Sequence, residues 1–370
     1  MQTNQRLLSL DFFRGFAVAA MILVNNPGSF ADAYPPLLHA QWHGWTPTDV
    51  IFPLFLFIVG VSISLAFTGL QKQSVPRQDL YKKIIRRTLI IFALGLFLSG
   101  FPHFDLSAIR IPGVLQRIAV CYLVASIIFL NGSVKTSFAW TAGLLLFYWA
   151  VMAWYPVPGV GAGSYVKGEN FSAWLDSILL PGHMWSQTLT WDPEGVFSTL
   201  PAISTTLFGV LTGHLLLSEK PAMEKTALLL IGGNIAIATG MIWSQWLPIN
   251  KSLWTSSYAV LMSGISMVML AMAHYLIDIK GWQKGIKPFR VYGMNAITVF
   301  VLTGIVGRLL YQVKWQSGGG EITLKGWLMK QIFLPWLSPL NASLAYALCF
   351  VFISYLAMYW LYRKKIFLKV

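Results

Sequence analysis

Stretches of about 20 apolar residues recur from one end of this 370-residue chain to the other. At a rise of about 1.5 Å per residue, each is long enough to cross roughly 30 Å of hydrocarbon. Runs of this kind leave few folds open, because a backbone inside a bilayer must satisfy its polar groups internally, as α-helices do. Hydrophobic side chains make up 56% of the chain and charged ones 11%, more apolar surface than one soluble core could bury. The expected fold is therefore an all-α integral membrane protein of about ten transmembrane helices in one bundle, with residues 1–370 forming a single polytopic domain.

The first span runs from about Leu7 to Val24, after a tail containing Arg6. Asp11 and Arg14 fall three apart within it, on one helical face where they can pair. Ala31-Asp32-Ala33 resembles a signal-peptidase site, but charges inside the would-be apolar core argue for a retained helix. Further spans cover about Val50–Leu70, a third stretch ending near Gly100, Val114–Leu130, Phe138–Tyr155 and Ser198–Leu217. Gly209 and Gly213 give the last of these a small-xxx-small packing face. Two more end near Trp246 and Ile277, and the remaining two cover Val291–Tyr311 and Ala342–Tyr362. The stretch Trp327–Leu337, interrupted by Pro335 and followed by Pro339, reads as interfacial or re-entrant, beyond a Gly318-Gly319-Gly320 segment. The longest connection, Pro156–Phe197, is rich in Gly, Pro, Trp and acids.

A net charge of +14 raises nucleic acid as a partner, yet the basic residues are spread over short connections between spans, which excludes that class. They concentrate on the N-terminal side, from Arg6, Lys72 and Arg77 through Lys280 and Lys284 to Arg363 and Lys369, and so place both termini in the cytoplasm. The expected location is a membrane crossed many times, with the lipid bilayer as a partner and a homodimer as an allowed assembly. Cys121 and Cys349 lie far apart in apolar spans and form no disulfide or zinc pattern.

Chemistry is expected first in Leu38–Gly60, LHAQWHGWTPTDVIFPLFLFIVG, where a polar and aromatic run enters the second span. It faces the side opposite the termini and its loop contains no Lys or Arg. His39 and His43 are four apart, but Asp32 and Asp49 are the only acids of this loop, and no HExxH pattern accompanies them, so no metal is expected. Asn25 ends the first span and Asp49 begins the second, which puts both at the mouth of the bundle near His39.

RLLSLDFFRG, LLHAQWHGWTPTDVIFPLFLFIVG, IRIPGVLQR, WDPEGVFSTLPAI, PINKSLWTSSY, and DIKGW with YGMNAI occur in that order between about Arg6 and Tyr311. Together they resemble the heparan-alpha-glucosaminide N-acetyltransferase family and its shorter bacterial relatives. The resemblance implies transfer of an acetyl group from cytosolic acetyl-CoA to the amine of a terminal glucosamine across the membrane. It also implies that His39 in LHAQWHG is the catalytic histidine, in place of His43, and that Asn25 in LVNN is the active-site asparagine. Against the animal enzymes of that family, the segment between Asn25 and His39 reads as longer and richer in proline, and a minimal membrane core without a large lumenal N-terminal domain is expected.

Acetyl transfer to an amine needs a base, and an imidazole, with an ordinary pKa near 6.5, suits that task. His39 would act as general base, or as a nucleophile that carries the acetyl group. Asn25 would donate to the developing oxyanion, and Asp49 would fix the His39 tautomer or cap the second helix, with Thr46 or Thr48 sharing that role. For acetyl-CoA, phosphate contacts are expected from Lys82, Arg86, Lys287 and Arg290, and the passage inward from Arg14, Arg117 and Asn295. The amino-sugar or glycan acceptor is expected to meet Trp42, Asp11, Arg110 and Lys251. The competing reading is an amino-sugar permease, with Asp11, Arg14 and Arg117 as relay or binding groups.

Overall fold

The computed structural model describes residues 7–317 and 320–367; Arg6, Gly318, Gly319 and Lys369 lie outside them. Almost all regular structure is helical. The long helices are α1 (Leu8–Asn25), α2 (Pro47–Lys72), α3 (Arg77–Gly100), α4 (Val114–Asn131) and α5 (Val134–Trp154). After the short α6 (Phe171–Leu179) come α7 (Thr199–Leu217), α8 (Ala222–Trp243) and α9 (Ser256–Ala273). The last part holds α10 (Ile286–Met294), α11 (Ala296–Gln312), a hairpin of β1 (Lys314–Ser317) and β2 (Gly320–Thr323), α12 (Leu324–Leu328) and α13 (Pro339–Arg363).

Among the described residues, eight helices are long and apolar enough to cross a membrane, or up to nine if the α10–α11 pair is one span. The difference from about ten has two physical sources. Lys82, Lys83, Arg86 and Arg87 fall in the first half of α3, which leaves it too charged to qualify by composition. The expected span Val291–Tyr311 carries an 84° break at Asn295, whose backbone (φ −129°, ψ 40°) leaves the helical region. The stretch Trp327–Leu337 is not a span: α12 runs into a π-helical turn, Met329–Phe333, and Pro335 and Pro339 supply no N–H to continue it.

The chain forms two compact units. The first contains Ala40–Trp45 and Phe52–Trp282, with the start of α1. Here α2 and α7 approach to backbone contact: a Cβ on Gly60 would lie 1.8 Å from the Thr206 carbonyl oxygen, and one on Gly209 would lie 2.0 Å from that of Phe57. The small-residue face read from Gly209 and Gly213 is thus a real interface, and Leu56, Phe57 and Val61 of α2 and Leu207 of α7 are buried in the core. Hydroxyls tie the helices where apolar contact alone gives little specificity. Ser64 Oγ donates to the Val210 carbonyl (2.9 Å), Ser256 Oγ to Leu145 (2.7 Å) and Tyr148 Oη to Leu253 (2.7 Å).

The second unit contains Asp11–His39, Thr46–Ile51 and the chain from Gln283 on. Phe12 of α1 meets Phe289 of α10 edge to face, with centroids 5.0 Å apart. Tyr292 Oη donates to the Val351 carbonyl of α13 (2.5 Å). The segment after α1 is pinned to α13, because Gly28 N–H donates to the Ser343 carbonyl (3.1 Å) and Ser343 Oγ donates to that of Ser29 (2.9 Å). Tyr34 Oη adds a bond to Asn341 Oδ1 (2.6 Å). These contacts fix the path of the chain that ends in His39.

Candidate active site

The second helix begins where Pro47, with its preset φ and missing N–H, can occupy the first helical position at no cost. Thr46 is then the N-cap and Asp49 the third helical residue. Asp49 N–H closes on the Thr46 carbonyl (2.9 Å), while Thr46 N–H donates back to Asp49 Oδ2 (2.9 Å), so the carboxylate satisfies a backbone donor at the helix start. Its other oxygen, Oδ1, lies 2.6 Å from His39 Nδ1. Asp49 is 1% exposed, whereas the His39 side chain is 47% exposed. The aligned peptide dipoles and the Thr46 donors favour negative charge on a carboxylate at this helix N-terminus. Such a carboxylate accepts from Nδ1–H, which leaves the lone pair on Nε2, the exposed nitrogen. Asp49 is therefore both helix cap and histidine partner, two roles that the sequence left as alternatives.

Two further bonds hold the loop against the helix start. Thr46 Oγ1 lies 2.6 Å from the Leu38 carbonyl and 3.1 Å from Asp49 Oδ2, and Thr48 Oγ1 donates to the Pro36 carbonyl (3.0 Å). Asn25 ends α1 with an exposed side chain, and the structure does not join it to His39 by a hydrogen bond.

The other expected site residues divide between the units. In the second, Asp11 and Arg14 form the anticipated pair (3.6 Å). Asn295 is buried at the helix break, its amide donating to the Ile366 carbonyl (3.2 Å). On α10, Lys287 lies over the Tyr359 ring (5.3 Å) and Arg290 is half-buried, with no hydrogen-bond partner at Nε.

In the first unit, Lys82 and Arg86 are exposed on α3, Lys82 beside Asp79 (3.5 Å). Trp42 is anchored: its indole N–H donates to the Tyr165 carbonyl (2.9 Å), its ring meets Trp191 edge to face (5.1 Å), and Asn250 donates to its carbonyl (2.8 Å). Lys167 stands over both indoles, at 6.0 and 5.8 Å. His43 faces Asn250 at 3.4 Å. Among the described residues, no three His, Cys, Asp or Glu side chains gather as metal ligands would.

Sequence reasoning missed a group of acids in the same unit, Asp176, Asp192 and Glu194, all buried. Arg110 grips Asp192 with two parallel bonds, Nε to Oδ2 (2.8 Å) and Nη2 to Oδ1 (2.6 Å), and reaches Glu194 Oε2 (2.5 Å). Asp176 accepts from Val196 N–H (2.9 Å) and Asp192 N–H (3.4 Å), and a Cβ on Gly195 would lie 2.0 Å from its Oδ2, so only glycine fits this turn. Beneath it Arg117, 2% exposed, donates from Nη2 to Ser198 Oγ and to the Gly195 carbonyl (3.2 Å) and lies over the Trp254 ring (5.0 Å); its Nε and Nη1 have no hydrogen-bond partner.

Burial works to raise the Glu194 pKa, but Arg110, Lys251 and Arg117 outweigh it and hold the carboxyl below its ordinary value. Burial likewise opposes charge on Arg110, yet its bonds to Asp192 and its attraction to Glu194 push the guanidinium pKa up. For Asp176 burial prevails over the two backbone donors, and its carboxyl is pushed up to about 6. The signal for this cluster was present in the block WDPEGVF, where two acids flank a proline ahead of a glycine.

A family model described as "Heparan-alpha-glucosaminide N-acetyltransferase, catalytic" matches residues 6–231. The heparan-alpha-glucosaminide N-acetyltransferase of Homo sapiens is 29% identical over an alignment of 420 positions, covering 99% of this chain and 60% of the relative. Its namesake from Mus musculus is 28% identical over 351, covering 80% of this chain and 53% of the relative. The chain thus spans between about half and three-fifths of the length of these relatives.

Proposed function

Because this chain belongs to the heparan-alpha-glucosaminide N-acetyltransferase catalytic family, we propose that it is a membrane acetyltransferase. It moves an acetyl group from cytosolic acetyl-CoA to the amine of a glucosamine-type sugar on the periplasmic side of a bacterial inner membrane. The observation that carries this reading is the His39–Asp49 pair, 2.6 Å apart at the start of α2, with the imidazole exposed and the carboxylate buried.

Asp49 holds the proton on Nδ1 and stabilises positive charge on the ring. Nε2 then removes the proton that the acceptor amine sheds as its nitrogen attacks the thioester carbonyl. The carbon–nitrogen bond forms, the carbon–sulfur bond breaks, and Nε2 returns the proton to the leaving thiolate. A base so placed contributes about 10²–10⁴ in rate. The same lone pair would let His39 act as an acetyl-carrying nucleophile, and trapping of an acetyl-enzyme would separate the two routes. Asn25 is assigned as the oxyanion donor, and Lys287 and Arg290 of α10 as partners for the phosphates of the donor. Arg110 is assigned to a structural clasp on the connection ahead of α7, since its donors already engage Asp192 and Glu194.

The test is labelled acetyl transfer from acetyl-CoA to glucosamine by the purified protein in detergent, with His39→Ala in parallel. The expected outcome is loss of transfer in the variant, with its thermal midpoint still raised by acetyl-CoA. A fully active variant overturns the mechanism, and no response of either protein to acetyl-CoA overturns the donor.

A further inference from the structure

A threonine at a helix N-cap ordinarily turns its hydroxyl to the N–H of the second or third helical residue. Thr46 does not: the N–H of Asp49 is taken by the Thr46 carbonyl, and the hydroxyl points instead at two acceptors of the dyad. One is the carbonyl of Leu38, the residue before His39, at 2.6 Å; the other is Asp49 Oδ2, at 3.1 Å. The hydroxyl has one proton for both.

We propose that Thr46 is a positioning residue for the acyl transfer, whose shared hydroxyl couples the backbone carrying His39 to the charge on Asp49. This rests on the reading of His39 as the reacting group. Thr46 fixes both ends of the 2.6 Å contact, the carboxylate through its N–H and hydroxyl and the imidazole through the Leu38 carbonyl. Pro47 disfavours a helical backbone at Thr46, which suits its place ahead of the first helical residue. The separate bond from Thr48 to Pro36 keeps the loop on the helix when the Thr46 hydroxyl is removed.

The experiment compares Thr46→Val, which keeps the shape and removes the hydroxyl, with Thr46→Ser, which keeps the hydroxyl, in acetyl transfer from acetyl-CoA to glucosamine by the full chain. Loss of one hydrogen bond to a charged group corresponds to about ten- to a hundred-fold in rate. The valine variant is expected to lose that much in kcat with an unchanged KM for acetyl-CoA. The acidic limb of its pH profile should move to higher pH, because a carboxylate with fewer donors draws the imidazole proton more strongly. The serine variant should recover the parental rate and profile. Parental kinetics in Thr46→Val, or equal losses in both variants, overturn the proposal, and Thr46→Ala replaces the valine variant if that protein does not fold. His39→Ala run alongside separates the two failures: an inactive His39→Ala beside a parental Thr46→Val removes only the role of Thr46, whereas an active His39→Ala removes the reading beneath it.

Discussion

Replacing Asp49 with Asn should nearly abolish transfer, because the structure dictates which way the new amide must face. The position of Oδ2 receives the Thr46 N–H at 2.9 Å, and a donor there requires the amide oxygen. The amide nitrogen is thereby placed at Oδ1, 2.6 Å from His39 Nδ1, where it donates to the ring. The imidazole then carries its proton on Nε2, and the exposed nitrogen is neither base nor nucleophile. Loss of a general base is worth about 10²–10⁴ in rate, or about 2.7–5.4 kcal/mol at 1.36 kcal/mol per factor of ten. Because the helix-cap bond survives and no charge is left buried, the variant should stay folded in detergent and lose only the dipole's contribution, about 0.3–1 kcal/mol. Initial rates at saturating acetyl-CoA and glucosamine measure the loss. A folded Asp49→Asn protein that retains a third or more of the parental rate would refute the tautomer argument.

Two further predictions concern the clasp at Arg110. Arg110→Ala removes the two-pronged partner of buried Asp192 and leaves Glu194 to Lys251 and Arg117, which costs up to about 3–5 kcal/mol, and Arg110→Lys should recover only part of it because an ammonium cannot form the two-pronged bond. Thermal unfolding checks this, and a parental midpoint in Arg110→Ala would show that the charges are not structurally paired. Asp176 sets a pH dependence: its carboxyl is pushed up to about 6 in the folded chain, against about 3.9 in an unfolded one. The folded state therefore binds the proton more tightly, and stability should fall as pH rises from about 4 to about 6, then level off. Asp176→Asn should remove that slope from a plot of thermal midpoint against pH, and a slope unchanged in the variant would assign it elsewhere.

Much of this protein is written locally, in features that need only a short window of chain. The length of an apolar run determines a membrane-spanning helix, and Asp11 and Arg14, three apart, can meet on one helix whatever surrounds it. The role proposed for His39 comes from a block of residues rather than from physics, since a histidine in a Trp-rich loop carries no mark of its chemistry. Two things required the fold. Asn295, read as one residue of a span, sits at an 84° break. Asp49 caps its own helix with one oxygen and holds His39 with the other, because the 26–46 loop is pinned to α13 and returns to the start of α2. The same holds for Arg110, whose carboxylates lie more than eighty residues further along the chain. Hydration and helix length act on neighbours in sequence, but a hydrogen bond between distant side chains depends on the path of everything between them. That path is a property of the packed chain alone.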